Sequence, residues 1–260
     1  MLIAPARHFV VAAALASMAA SASAADAPGA SARTYAVVSL IGDQFSIVSR
    51  RPEVGTRLDP NERTSLAVPD AVFDRIAAIA VEKALNDAQP GTPVLRALIR
   101  DPRLFALQDK LLNESAESHD MRVALHDLLV KAGGTDLILV TKQRGEPAFM
   151  TGNGKIFAPG SISGIGFYID NVTRMFNSEH LMTGEGFLAP YAYIAVSLVD
   201  LGSMKVMKSK YGLETTMALP QDKKDAAHSW DALSAQEKVD ALEHVIRNAV
   251  AIGMTGLIGP

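Results

Sequence analysis

GGTDLILVTK, residues 133–142, is the stretch on which the fold class turns. Two glycines close a helical pattern, and an apolar run follows from Leu137 to Val140 with no polar residue inside it. A strand with one wet face alternates apolar and polar side chains, whereas an uninterrupted run is covered on both faces. Residues 136–142 therefore read as a central strand held between two layers and entered from a helix. That helix is written just upstream in Met121, Leu125, Leu128 and Ala132, whose i, i+4, i+7, i+11 spacing lines one face before Gly133-Gly134 stops it.

Outward toward the amino terminus, Asp101-Pro102 starts a short helix through Leu112, with Asp as cap and Pro at the tolerated first position. Thr92 to Arg100 is strand-like. A helical period precedes it: Phe73, Ile76, Ala77, Ala80 and Ala84 share one face, Asp74, Arg75, Glu82 and Lys83 fall elsewhere, and Asp70 is the expected N-cap. YAVVSLI (35–41) and QFSIVS (44–49) are apolar and β-branched, and Gly42-Asp43 between them reads as a hairpin turn. A polar loop, residues 50–63, leads to a short strand at 64–68.

Toward the carboxyl terminus, a glycine-punctuated segment (144–159) precedes strands at 163–170, 189–201 and 203–210, the last two joined at Leu201-Gly202 as a hairpin. The closing helix opens on Ser234-Ala-Gln-Glu237, a capping box in which serine and glutamate satisfy each other's free backbone amides. Its stripe is Val239, Leu242, Ile246, Ala249 and Val250, ending at Gly253. Helices interleaved with strands early and hairpins late predict an α/β fold: one mixed β-sheet covered by helices, with β-hairpins at the start and in the second half. No internal repeat is present.

The first 24 residues read as an export signal. Arg7 and His8 precede an apolar run from Phe9 to Ala20, and Ala22-Ser23-Ala24 offers a small-residue cleavage site. The run is shorter than the ~20 residues a membrane-crossing helix needs. Residues 25–34 (ADAPGASART) read as a flexible leader, and 35–260 as one domain. Without Arg7 the remaining chain carries 24 basic against 28 acidic side chains, which argues against nucleic acid as a partner. Cysteine is absent, excluding disulfides, thiolate nucleophiles and a lipid-anchor cysteine. The expected location is periplasmic or secreted.

Several constellations invite a catalytic reading. Gly42-Asp43 after the first strand resembles the Gly-Asp-Ser element of SGNH-type esterases, Asp225-Ala-Ala-His228 has their later spacing, and Gly152-Asn153 could stand at the oxyanion hole. The nucleophile is missing, because Gln44 follows and an amide cannot attack a carbonyl. Asp43, His126 and His228 remain the candidates for an unfamiliar hydrolase site. For metals, His119 and His126 share a helical face seven residues apart, where a helical zinc pair normally uses i and i+4, so no metal is expected. The glycines from Gly160 to Gly166 precede a strand rather than a helix, so they do not form a phosphate cradle, and no cofactor is expected. Phe149, Phe157, Phe167, Tyr168 and Phe187 crowd the second half and are candidates for an interaction surface.

The glycine-terminated helix, the strand in GGTDLILV (133–140) and the late hairpin of AVSLVDLG (195–202) with KVMK (205–208) resemble exported bacterial proteins of the curli-secretion-component and TolB amino-terminal type. The chain departs from that pattern in having Asp-Leu-Gly-Ser where those families carry a Thr-Gly turn, and in lacking the anchor cysteine. The resemblance implies a mixed α/β fold and a role in envelope assembly. It carries over no catalytic residues. The resulting expectation is a non-enzymatic envelope protein that binds a protein partner or forms a homo-oligomer, with an esterase-like hydrolase as the alternative.

Overall fold

In a computed structural model, the described residues are 33–51, 61–113, 115–151, 154–177, 182–219 and 228–258. The signal-like segment, nearly all of the leader, Gly152-Asn153, His180 and Asp225 lie outside them.

The spine is β10 (Met182–Asp200), which has different neighbours along its two edges. One edge carries β11 (Lys205–Thr215), antiparallel from Tyr191 to Asp200. The other is shared end to end: β9 (Ile162–Asn177) pairs with residues 182–193, and β5 (Asp136–Lys142) with residues 194–200, both antiparallel. Each extends into its own branch. Beside β5 lies β1 (Tyr35–Ser39), then β4 (Val94–Ala97), all three parallel. Beside β9 lies β2 (Gln44–Ser49), parallel to it, then β3 (Glu62–Ala67), antiparallel to β2. The mixed α/β architecture agrees with expectation, and β5 has the bounds read from the sequence.

The early hairpin is a different one from that expected. β1 and β2 do not pair; they run in the same direction along β5 and β9, with residues 40–43 stepping the chain from one branch to the other. The hairpin is β2–β3 instead. Gly42 is needed for close approach rather than for a turn, since a Cβ there would lie 2.7 Å from the Asp74 backbone nitrogen.

Side-chain alternation explains the unbroken apolar run in β5. Ile138 and Val140 join Tyr35 and Val37 beneath α1 (Val72–Ala88) and α5 (Ala235–Met254). Leu137 and Leu139 join Ala36 and Val38 on the opposite face, beneath α2 (Pro102–Ala106), α3 (Gln108–Leu111) and α4 (His119–Lys131). On the other branch that opposite face is closed by a two-stranded flap made of β7 (Ala148–Thr151) and β8 (Gly154–Phe157), which covers Val48, Tyr168, Phe187, Tyr191 and Tyr193. A two-residue strand, β6 (Arg144–Gly145), links β5 to this flap and pairs with β9.

Helix caps divide in the same way between local and tertiary control. The Ser234–Glu237 capping box forms in both directions, and Asp101 accepts from the Arg103 amide as its cap role requires. Asp70 does not cap α1. Asp70 and Ala71 both take left-handed backbone angles, φ 60° and 50°, and the helix starts at Val72 with the 40–43 loop packed against its first turn. Val239, expected on the buried stripe of α5, is half exposed.

Candidate functional site

The chain leaves β1 for β2 through residues 40–43 and leaves β4 for α2, and a crevice opens between these two exits and the start of α1. Such a point, at the carboxyl ends of parallel strands, is where open α/β sheets usually place ligands. Here it is a cleft of about 260 Å³ lined by Gly42, Asp43, Asp70, Asp74, Arg100 and Phe105, among others. Asp43 is half-buried and accepts from Lys142 Nζ at the end of β5.

Asp74 is the most constrained group in the cleft. Its Oδ1 accepts from Ser39 Oγ at 2.7 Å and from the Ile41 and Gly42 amides at 3.0 Å each, which ties the 40–43 loop to the first turn of α1. Oδ2 is buried without a hydrogen-bond partner. Burial pushes this carboxyl up to about 6, against the lowering effect of those three hydrogen bonds. The helical pattern places Asp74 away from the apolar face of α1, yet the structure buries it, because the residues that cover it come from 39–42 and have no signature in the helix itself.

Of the remaining catalytic candidates, His228 lies away from Asp43. His228 is exposed, and its neighbour Ser229 donates to the carbonyl of Asp170, just past Ile169, the partner of Ser49 at the far end of β2. A six-residue strand separates that point from Asp43, about 20 Å. His126 lies partly buried on α4 with Nδ1 2.8 Å from Asp127. Among the described residues no three His, Asp or Glu side chains gather as a metal site. The cleft thus gathers three carboxylates, Asp43, Asp70 and Asp74, and two basic groups, Arg100 and Lys142, with the buried Ser39 hydroxyl held on Asp74 Oδ1.

Four of the five aromatic candidates are core residues. Phe149, Phe167, Tyr168 and Phe187 are buried, and Phe149 packs its ring 5.0 Å from Tyr168 and 5.2 Å from Phe187. Only Phe157 faces solvent, at 64% exposure, with Lys155 Nζ 5.3 Å from its ring centroid. Strand alternation sends these rings inward beneath the flap and α5, so a partner cannot meet them without the fold opening.

The surface that is open lies on β11. Among the described residues β11 pairs with β10 alone, so its outer edge offers free backbone donors and acceptors. Ten of its eleven residues are at least partly exposed, including Val206, Met207, Tyr211 and Leu213. Sequence reading ended this strand at Lys210. The continuing alternation of Tyr211 and Leu213 with Gly212 and Glu214 was the signal that extended it.

Fold and surface together define a mixed α/β protein with a doubly covered sheet, a small acidic cleft and an open apolar sheet edge. No family model matches the chain and no curated protein matches it, so the likeness to the curli-secretion and TolB types remains one of sequence pattern. Among solved structures, it is similar to the crystal structure of protein XCC0632 from Xanthomonas campestris, described as DUF330. That match covers 86% of this chain and 83% of the other, at TM-score 0.35 and 8% identity. No helix among the described residues is long and apolar enough to cross a membrane.

Proposed function

We propose that this is an exported, non-enzymatic envelope protein of one folded domain, residues 35–260, that works by binding a protein through the β11 edge. The carrying observation is β11 itself: eleven residues whose outer edge pairs with no strand among the described residues, bearing exposed Tyr211 and Leu213. Exposed apolar edges are templates for strand addition, and natural proteins usually shorten or cover them. Support for export comes from the amino-terminal sequence pattern. Asp43 is engaged by Lys142 and Asp74 by three donors, so both act as structural ties in the cleft.

Complementation of a deletion strain separates this reading from a hydrolase. Joint alanine replacement of Asp43, His126 and His228 is expected to complement, while Leu213→Glu is expected to fail with its fold intact by circular dichroism. If the triple variant folds and does not complement, the binding reading is overturned in favour of catalysis.

A further inference from the structure

We infer that the occupant of the β11 edge is a second copy of this chain, paired antiparallel about a two-fold axis through Tyr211. The inference rests on the reading of β11 as a binding edge and adds the identity of what binds there.

The first support is the surface beside the strand. α5 lies over the β10–β11 pair and packs against α1 on its other side. Its flank above the open edge is marked by contacts to β11: Asn248 donates to Glu214 at 3.4 Å, and Gly256, just past the helix, accepts from Lys208 Nζ. Along that flank run Ala241, His244, Asn248, Ile252 and Thr255, a helical stripe with no acidic, lysine or arginine side chain. The neighbouring solvent stripe is ionic, with Gln236 bonded to Asp240 and Arg247 to Glu243. Ile252 is 45% exposed on the uncharged flank. Charge is thus withdrawn from the side of α5 that adjoins the free edge and kept on the side that faces water.

The second support is charge complementarity within the strand. Gly212 faces α5 so closely that a Cβ would lie 1.9 Å from the Ala249 carbonyl, and Lys208 and Glu214 share that face. The opposite face carries Ser209, bonded to Ser197, with Tyr211 and Leu213. A symmetric antiparallel pair must keep these faces matched, so its centre falls on a residue. Centring on Lys208, Ser209 or Lys210 sets lysine opposite lysine, which opposes pairing. Centring on Tyr211 sets Lys208 opposite Glu214 twice, Ser209 opposite Leu213, and the two Tyr211 rings together. Centring on Gly212 would cut the ladder to residues 209–215. Edge lysines commonly block all pairing; here their positions select a register.

The third support is the fit along the edge. Centred on Tyr211, the ladder takes in residues 207–215, about 30 Å of strand. The turns of α5 that stand over it are the last ones, since Asn248 meets Glu214 and Ala249 meets Gly212, so the two-fold would set the flank from Asn248 to Thr255 of one copy beside that of the other.

Sedimentation velocity on the purified chain, with a charge-reversal cycle, tests this. The parent is expected to sediment at twice the chain mass. Lys208→Glu and Glu214→Lys are each expected to weaken association about tenfold, since each sets like charges opposite one another at two symmetric positions. The double variant is expected to restore it, with circular dichroism confirming the fold of all three. A monomer at every concentration overturns the self-pairing, as does a dimer indifferent to the single reversals. A photo-cross-linking residue at position 211, activated in cells, keeps the two readings apart. A two-copy adduct supports the inference, an adduct with another protein alone overturns it and leaves the binding reading standing, and no adduct at all counts against both.

Discussion

Replacing Asp74 by Asn isolates the electrostatic cost of the cleft. The carboxyl rises from 3.8 to about 6 because burial disfavours its charge, and Asn keeps the shape and the Oδ1 acceptor while removing that charge. The folded value lies above the unfolded one, so the folded state holds the proton more tightly. The group's favourable contribution is then complete below about pH 4 and is lost as pH rises through about 6. At ~1.36 kcal/mol per tenfold change in proton affinity, the loss amounts to about 3 kcal/mol at neutral pH. The asparagine amide nitrogen inherits the unpartnered Oδ2 position at a cost of about 1–3 kcal/mol, and that cost does not vary with pH. Urea unfolding of parent and Asp74→Asn should therefore show the variant gaining about 3 kcal/mol on the parent between pH 4 and pH 7. A difference that stays flat over that window would refute the claim that Asp74 titrates as a buried carboxyl.

Asp170 carries the opposite sign. Although burial pushes it up, the Thr173 and Val172 amides, the Thr173 hydroxyl and Arg50 outweigh that and hold it below the usual carboxylate range. Its contribution is present above the ordinary carboxylate pKa and is lost as pH falls through the lowered value. Arg50→Ala, which leaves the buried carboxylate without its cation, should cost about 3 kcal/mol at pH 7 and reduce the steepness of acid unfolding. The aromatic assignments are checked by a pair of truncations: Phe149→Ala should cost about 3–5 kcal/mol in urea unfolding, and Phe157→Ala less than about 0.5 kcal/mol.

What the sequence by itself determined was whatever rests on neighbours along the chain. β5 appears with its bounds because an apolar run after a glycine stop has one stable solution, a strand covered on both faces. The Ser234 capping box and the Asp101 cap formed because both partners lie within three residues of each other. The late hairpin formed from Leu201 to Met204, with Asp200 accepting from the Ser203 amide to tighten the turn.

Tertiary structure alone decided which edges meet. Gly42-Asp43 has the composition of a hairpin turn, but β1 is paired on its two edges by β4 and β5 and β2 by β3 and β9, so the chain steps across instead of folding back. Asp74 is buried by a loop more than thirty residues away, which no helical period can register. The seating of the flap on β9 and β10 decides that Phe149 and Phe187 are core while Phe157 is surface. The open edge of β11 is equally a tertiary property: a strand's sequence specifies its two faces, while the absence of a neighbour depends on where every other strand has gone.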